Sequence, residues 1–164
     1  MELATVQDIR EVELIIGHST VYHDSSDDGG GDPVHAFDVA FWWLTTPGNV
    51  VFLGHGAVVM FQPRNFITYE MHLGFIQGAR REITRQACEA GKWLFGNTSC
   101  KKVVAMIPEY RRSLIRYARM CGMKQEGISR QSFQKGEKLF DCILLGATKE
   151  ELTIKYGGAI CRQP

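Results

Sequence analysis

The sequence lacks an excess of charge, a paired-cysteine motif and a long apolar run, and each lack removes a class of protein. Lys and Arg number 19 against 18 Asp and Glu, a formal charge of +1. A nucleic-acid footprint needs a basic excess or stripe, so nucleic acid is not an expected partner. The same balance gives no attraction to an anionic membrane surface. Five cysteines occur, Cys88, Cys100, Cys121, Cys142 and Cys161, an odd number with no C-x-x-C pair. A disulfide framework and a zinc site are both unsupported, and no metal is expected. Free thiols in a reducing compartment fit better, with Cys121 and Cys142 as packing residues. No stretch reaches the apolar length of a membrane span. Glu2, Gln7, Asp8 and Arg10 break up the first residues, so a secretory leader is not expected and a cytoplasmic location is.

What is present is a chain of 164 residues, 45% of them hydrophobic, enough for one domain over 1–164 with a sizeable core. Thr5 before Val6-Gln7-Asp8 reads as a helix start, and Val6, Ile9 and Ile16 follow helical spacing to Gly17. His23 to Pro33, with three glycines and four aspartates, reads as a loop. From Phe37 to Gln77 the pattern is strand-like, with a turn at Thr45-Thr46-Pro47-Gly48-Asn49, and predicts an antiparallel meander. Gly78 to Gly96 carries Ile83, Ala87, Ala90 and Leu94 on one helical face. Val103 to Ile107 is a continuous apolar strand, as in a sheet covered on both faces. Pro108 and Glu109 are expected to open a helix that Gly122 stops, with Leu114, Ile115, Ala118 and Cys121 as its buried stripe. A hairpin follows, Ile128 to Phe133 and Leu139 to Leu145, turning at Lys135-Gly136-Glu137; the tail from Thr148 is polar. No internal repeat or linker interrupts this order. A strand–helix–strand passage demands at least one parallel pair, so the class is α/β (α+β) with a mixed sheet.

The run Lys101 to Ala147, KKVVAMIPEYRRSLIRYARMCGMKQEGISRQSFQKGEKLFDCILLGA, carries a resemblance. An apolar strand ending in Ile-Pro, a helix ending in Cys-Gly-Met, a Glu-Gly strand start and an Asp early in the last strand resemble the GNAT family of acyl-CoA N-acyltransferases. With the preceding meander and helix, the resemblance covers roughly the C-terminal 100 residues, well within one domain. It implies a mostly antiparallel central sheet flanked by helices, with acetyl-CoA or another acyl-CoA as co-substrate and an amine of a protein or small molecule as acceptor. Shorter segments, Gly17-His18-Ser19-Thr20-Val21-Tyr22, Ser26-Asp27-Asp28-Gly29 and Tyr69-Glu70-Met71-His72, are similar to GNAT-like proteins encoded by bacteriophages. That narrower likeness implies a virion or host-protein partner, and host cytoplasm or virion as the location.

The resemblance also assigns roles. The pyrophosphate would lie at the start of the helix after the fourth main strand, against Phe75, Ile76, Gln77, Gly78, Ala79, Arg80, Arg81 and Glu82, because free N–H groups at a helix N-terminus bind anions. The family loop places glycine where this chain has Arg80. Cations in a first helical turn oppose the macrodipole, so Arg80 and Arg81 either meet a bound anion or form a solvated pair offset by Glu82. Glu70 and His72, two apart on a strand and so on one face, are candidates for the base that deprotonates the amine, or else ordinary surface residues. The family's acid is a tyrosine four residues before the helix-ending glycine. Ala118 stands there, with Tyr117 next to it and about 100° away around the helix. Tyr110 stands where many members carry a CoA-contacting asparagine.

Three further features are weighed without the resemblance. Asp24-x-Ser26-x-Asp28-Gly29 imitates a calcium loop, but its twelfth residue is His35 and no helix pair brackets it, so a surface loop is the better reading. Of Trp42 and Trp43, strand alternation would bury one and expose the other. Arg111, Arg112, Arg116 and Arg119 form a solvated helix face or meet a phosphate tail.

Overall fold

The structure, a computed structural model, describes residues 1–25, 35–76 and 83–156. Residues 26–34, most of the expected Asp/Gly loop, and the expected pyrophosphate segment, 77–82, lie outside the described residues. In chain order the elements are β1 (Glu2–Leu3), a 3-10 turn (Val6–Asp8), α1 (Ile9–Ile16), α2 (Ser19–Ser25), α3 (Ala36–Thr45), β2 (Val50–Gly54), β3 (Ala57–Pro63), β4 (Thr68–Phe75), α4 (Ile83–Asn97), β5 (Lys102–Pro108), α5 (Arg112–Met120), β6 (Lys124–Lys135), β7 (Lys138–Thr148) and α6 (Lys149–Tyr156). Seven strands form one sheet in the order β1-β2-β3-β4-β5-β7-β6. Every neighbouring pair is antiparallel except β4 with β5, as a mixed, mostly antiparallel sheet requires.

The sheet is covered on both faces. One apolar cluster joins Phe61, Tyr69, Val103, Ala105 and Leu145 to Ile83, Ala87, Ala90 and Leu94 of α4 and Ala118 of α5. The other joins Val51, Val58 and Met60 to Val12 and Ile15 of α1, Val21 of α2, and Ala40 and Trp43 of α3. Each large side chain fully buried in this way contributes about 1.5–3 kcal/mol. Residues 57–61 of β3 are buried without interruption because both faces are covered. Among the described residues, no helix is long and apolar enough to cross a membrane.

Local signals account for most boundaries. Thr5 and Asp8 form a reciprocal capping box: the Thr5 hydroxyl accepts from the Gln7 N–H, and the Thr5 N–H donates to Asp8 Oδ2 at 2.7 Å. Helix α5 closes in a Schellman motif. Gly122 adopts φ 98°, its N–H donates to the Arg119 carbonyl at 3.0 Å, and the Met123 N–H reaches back to the Ala118 carbonyl at 3.1 Å. The hairpin turn is the two-residue Gly136–Glu137 link between paired Lys135 and Lys138, with Gly136 at φ 60°.

Three expectations are corrected. Residues 36–45 are helix α3, not a strand. Phe and Trp side chains favour strands, but Ala36, Ala40 and Trp43 at i, i+4 and i+7 are the buried set, so helical packing against α1 overrides the local preference. Trp43 is indeed buried and Trp42 exposed, through helical rotation rather than strand alternation. His23 to Ser25, expected in a loop, belong to α2. Pro108 and Glu109 do not open α5. Pro108 ends β5 opposite Cys142, and the Glu109 N–H is taken by the Asp141 carbonyl at 2.9 Å, so the helix starts only at Arg112. The polar tail from Thr148 forms α6, whose first turn is tied down where the Thr148 N–H donates to Glu151 Oε2 at 3.0 Å.

Candidate active site

The sheet is split at its one parallel junction. β4 and β5 pair only through Thr68 with Lys102, Tyr69 with Val103 and Glu70 with Val104. Beyond that point each follows its other neighbour: β4 stays in register with β3 as far as Phe75, and β5 with β7 as far as Pro108. Residues 71–75 and 105–108 therefore face each other across a widening gap with no strand pairing between them. Main-chain donors and acceptors left without a ladder suit an extended ligand that carries amides of its own. The gap opens toward Phe75 and Ile76. Phe75 packs on the α4-side cluster, whereas Ile76 packs on the α1–α3 cluster and donates its N–H to the Gly56 carbonyl at 2.9 Å. Gln77, Gly78, Ala79, Arg80, Arg81 and Glu82 lie outside the described residues.

Beside the start of the gap, on the face covered by α1 to α3, β4 presents Glu70 and His72. Glu70 is 5% exposed and is held by Nε and Nη2 of Arg64. Arg64 is placed by the tight turn between β3 and β4. Its N–H donates to the Thr68 carbonyl at 2.8 Å, and the Asn65 side chain accepts from the N–H groups of Ile67 and Thr68 at 3.0 and 2.9 Å. A buried carboxylate without such a partner would be costly; the two guanidinium contacts, both to Oε2, resolve it. His72 Nε2 lies 3.8 Å from Glu70 Oε1, and the His72 and Trp43 rings meet edge to face at a centroid distance of 5.2 Å. The His72 side chain keeps 40% of its surface exposed, yet Nε2 itself is covered and has no hydrogen-bond partner among the described residues. Burial pushes the imidazole below its usual 6.5; the Glu70 carboxylate opposes the shift and the Arg64 guanidinium adds to it. At neutral pH the ring is uncharged and free to take a proton, and an imidazolium formed there would face Glu70. Gly74, next on this face, admits α2: a Cβ on it would stand 2.9 Å from Val21 Cγ1 and 3.2 Å from Val58 Cγ1.

The other candidates lie apart from this pair. Tyr117 belongs to the α4–α5 side of the sheet. Its hydroxyl is buried, and burial, with Cys121 and Cys88 nearby, pushes the phenol well up while the Thr84 hydroxyl offsets part of the shift. Ala118 is 3% exposed in the core. Tyr110 sits before α5, with its ring 4.7 Å from Phe140 and 6.1 Å from Phe133, tying the β5–α5 turn to the β6–β7 hairpin. Arg112, Arg116 and Arg119 line a shallow depression with Glu109, Ile115 and Ile143, and Arg119 also donates to Gln125 Oε1 at 2.7 Å. Among the described residues, no group of three or more His, Cys, Asp or Glu side chains is placed to hold a metal ion.

Sequence reasoning missed Arg64 and Trp43, the two groups that set the state of Glu70 and His72. The 36/40/43 spacing could have placed Trp43 on a helix.

No family model matches the chain, and no curated protein matches it in sequence. Solved structures do match. A GNAT-family acetyltransferase from Bacillus anthracis superposes with a TM-score of 0.71 at 16% identity, covering 91% of this chain and 95% of that one. Spermidine N-acetyltransferase from Vibrio cholerae, in complex with CoA and spermine, gives 0.73 at 11% identity over 92% and 95%. The putative acetyltransferase yncA from Salmonella typhimurium, with its cofactor acetyl-CoA, gives 0.67 at 13% over 90% and 91%. At these identities the likeness establishes the GNAT fold.

Proposed function

We propose that this chain, which has the GNAT fold, is an acyl-CoA-dependent N-acyltransferase that modifies an amine by direct attack. The observation that carries the proposal is the parting of β4 and β5 beside a buried Glu70 and the His72 ring 3.8 Å from it. The unpaired edges of residues 71–75 and 105–108 would hold the pantetheine amides of acyl-CoA. Phe75, Ile76 and the segment Gln77 to Glu82 would meet its pyrophosphate, and Tyr110 stands near the other wall. Bound acyl-CoA supplies the acyl group already activated as a thioester. His72 accepts the proton that the amine nitrogen loses as its bond to the carbonyl carbon forms. Glu70 stabilises the imidazolium, and Arg64 and Trp43 fix the pair in place. The carbon–sulfur bond breaks, and the departing thiolate takes a proton. Tyr117, kept protonated by burial and on the opposite side of the sheet from His72, is the donor we assign to it.

The test is thiol release from acetyl-CoA, and from a longer acyl-CoA, over a panel of amines that includes polyamines, amino acids and peptides. Acceptor-dependent release that falls about 100-fold in His72→Ala, with the fold retained, is the expected result. Release that survives His72→Ala and Glu70→Gln together would remove the base assignment.

A second reading is favoured by one surface. On α3, Phe37, Val39, Phe41 and Trp42 are exposed, and Phe37 and Phe41 stack at 6.4 Å. Such a face suits a protein partner. A catalytically silent GNAT-fold protein of phage origin, in a virion or on a host protein, would use it. Calorimetry with acetyl-CoA separates the two readings: micromolar binding supports the enzyme, whereas no binding up to millimolar by folded protein supports the binder.

A further inference from the structure

A second cavity, of about 310 Å³, lies between the C-terminal half of α4 and α6, with the end of α5 beside it and β3, β4, β5 and β7 as its floor. Its size falls within the range of small-molecule sites. Gly91, on its wall, is about 12 Å along α4 from Ile83 and so well removed from the helix end at the β4–β5 gap.

Two features argue that the space is kept open for a ligand. Gly91 and Gly96 both line it, yet neither has a positive φ, and a Cβ on either would meet nothing within 4 Å among the described residues. Glycine in a helix weakens it relative to alanine, so neither backbone conformation nor close packing explains these residues. Their common effect is to leave volume in front of the helix. Among the described residues the charge on the lining is also one-sided: Lys92 and Lys149 contribute to it and no carboxylate does. Lys149 Nζ donates to the Phe95 carbonyl at 2.7 Å, which fixes one ammonium at the rim with hydrogens to spare. The rest of the lining is mainly apolar, from side chains such as Phe61, Met71 and Leu152.

We propose that this cavity binds an amphipathic organic anion, a carboxylate on an unbranched alkyl chain of fatty-acid type, with the chain against the sheet and the head group at Lys92 and Lys149. The site does not depend on the acyltransfer reading. Sodium decanoate is the probe, titrated calorimetrically into the full chain. We expect saturable binding at one site, about tenfold weaker or more in Gly91→Leu, whose side chain would fill the space, and weakened again in Lys92→Glu, an exposed change that leaves the fold alone. Decanol should bind less tightly than decanoate. Cys88 and Cys121 line the same cavity, so decanoate should slow their alkylation by N-ethylmaleimide, read by mass spectrometry. Coenzyme A and decanoate should bind together. The proposal is overturned by an absence of saturable decanoate binding, by binding indifferent to Gly91→Leu, by decanol binding as tightly as decanoate, or by mutual exclusion with coenzyme A. Should Gly91→Leu fail to fold, Lys92→Glu and the alkylation readout decide the matter.

Discussion

His72 is pulled in two directions: burial and Arg64 favour its neutral form, and Glu70 favours the charged one, with burial the largest effect. If it is the base, the acid limb of a pH–rate profile lies below 6.5, because activity is lost only when the ring protonates. The stability consequence has the same direction. Between the lowered folded value and 6.5 the unfolded chain takes a proton that the folded chain refuses, so this contribution to stability is intact above 6.5 and declines as pH falls through that window. Arg64→Ala removes one of the causes that lower the ring's pKa and should move the acid limb upward. It should also cost about 3 kcal/mol in denaturant unfolding, because Glu70, whose side chain is 6% exposed, is left buried without its partner. Glu70→Gln should cost only about 1 kcal/mol, since the Arg64 side chain is 53% exposed and can turn to water. Equal costs for the two variants would argue against this account of the pair.

Elements show the same logic in their glycines. α2 rests on β4 at Gly74, and alanine there would press into Val21 and Val58, so Gly74→Ala should destabilise the protein by about 1–3 kcal/mol. Gly91→Ala, in the interior of α4 and facing open space, should stabilise it by about 0.5–1 kcal/mol. Thermal melts of both variants test the contrast; melting shifts of the same sign would contradict it. The opposite signs follow from what lies in front of each Cβ, which residue type alone does not convey.

For the whole molecule, the gap between β4 and β5 interrupts the sheet beside its core, and anything that binds there in the folded state alone must stabilise the fold. Coenzyme A at about 100 times its dissociation constant should add roughly 2.7 kcal/mol to the unfolding free energy. A melting temperature unmoved by saturating coenzyme A, while decanoate still raises it, would separate failure of the acyltransfer reading from failure of the second-site proposal.

Much of the architecture was legible from residues 57–147. A strand at Val103 to Ile107, a Cys-Gly helix stop and a Gly-centred hairpin are local signals, and local chemistry determines them, although Met106 is exposed where a run covered on both faces was expected. They also led to the GNAT resemblance. The stretch from Phe37 to Leu44 misled because its side chains favour strands, while the helical spacing of Ala36, Ala40 and Trp43 gains its force only from α1 packed against it. The pairing of Glu70 with His72 on one face could be read from their spacing, since strand geometry repeats every two residues. What the sequence by itself determined was the order of elements from β2 to β7 and the shared face of Glu70 and His72. Only the tertiary structure decided that a turn brings Arg64 onto Glu70, that α3 sets Trp43 against His72, and that β4 and β5 part beside them. Those outcomes depend on contacts between segments distant along the chain and on the desolvation they create, which no single segment encodes.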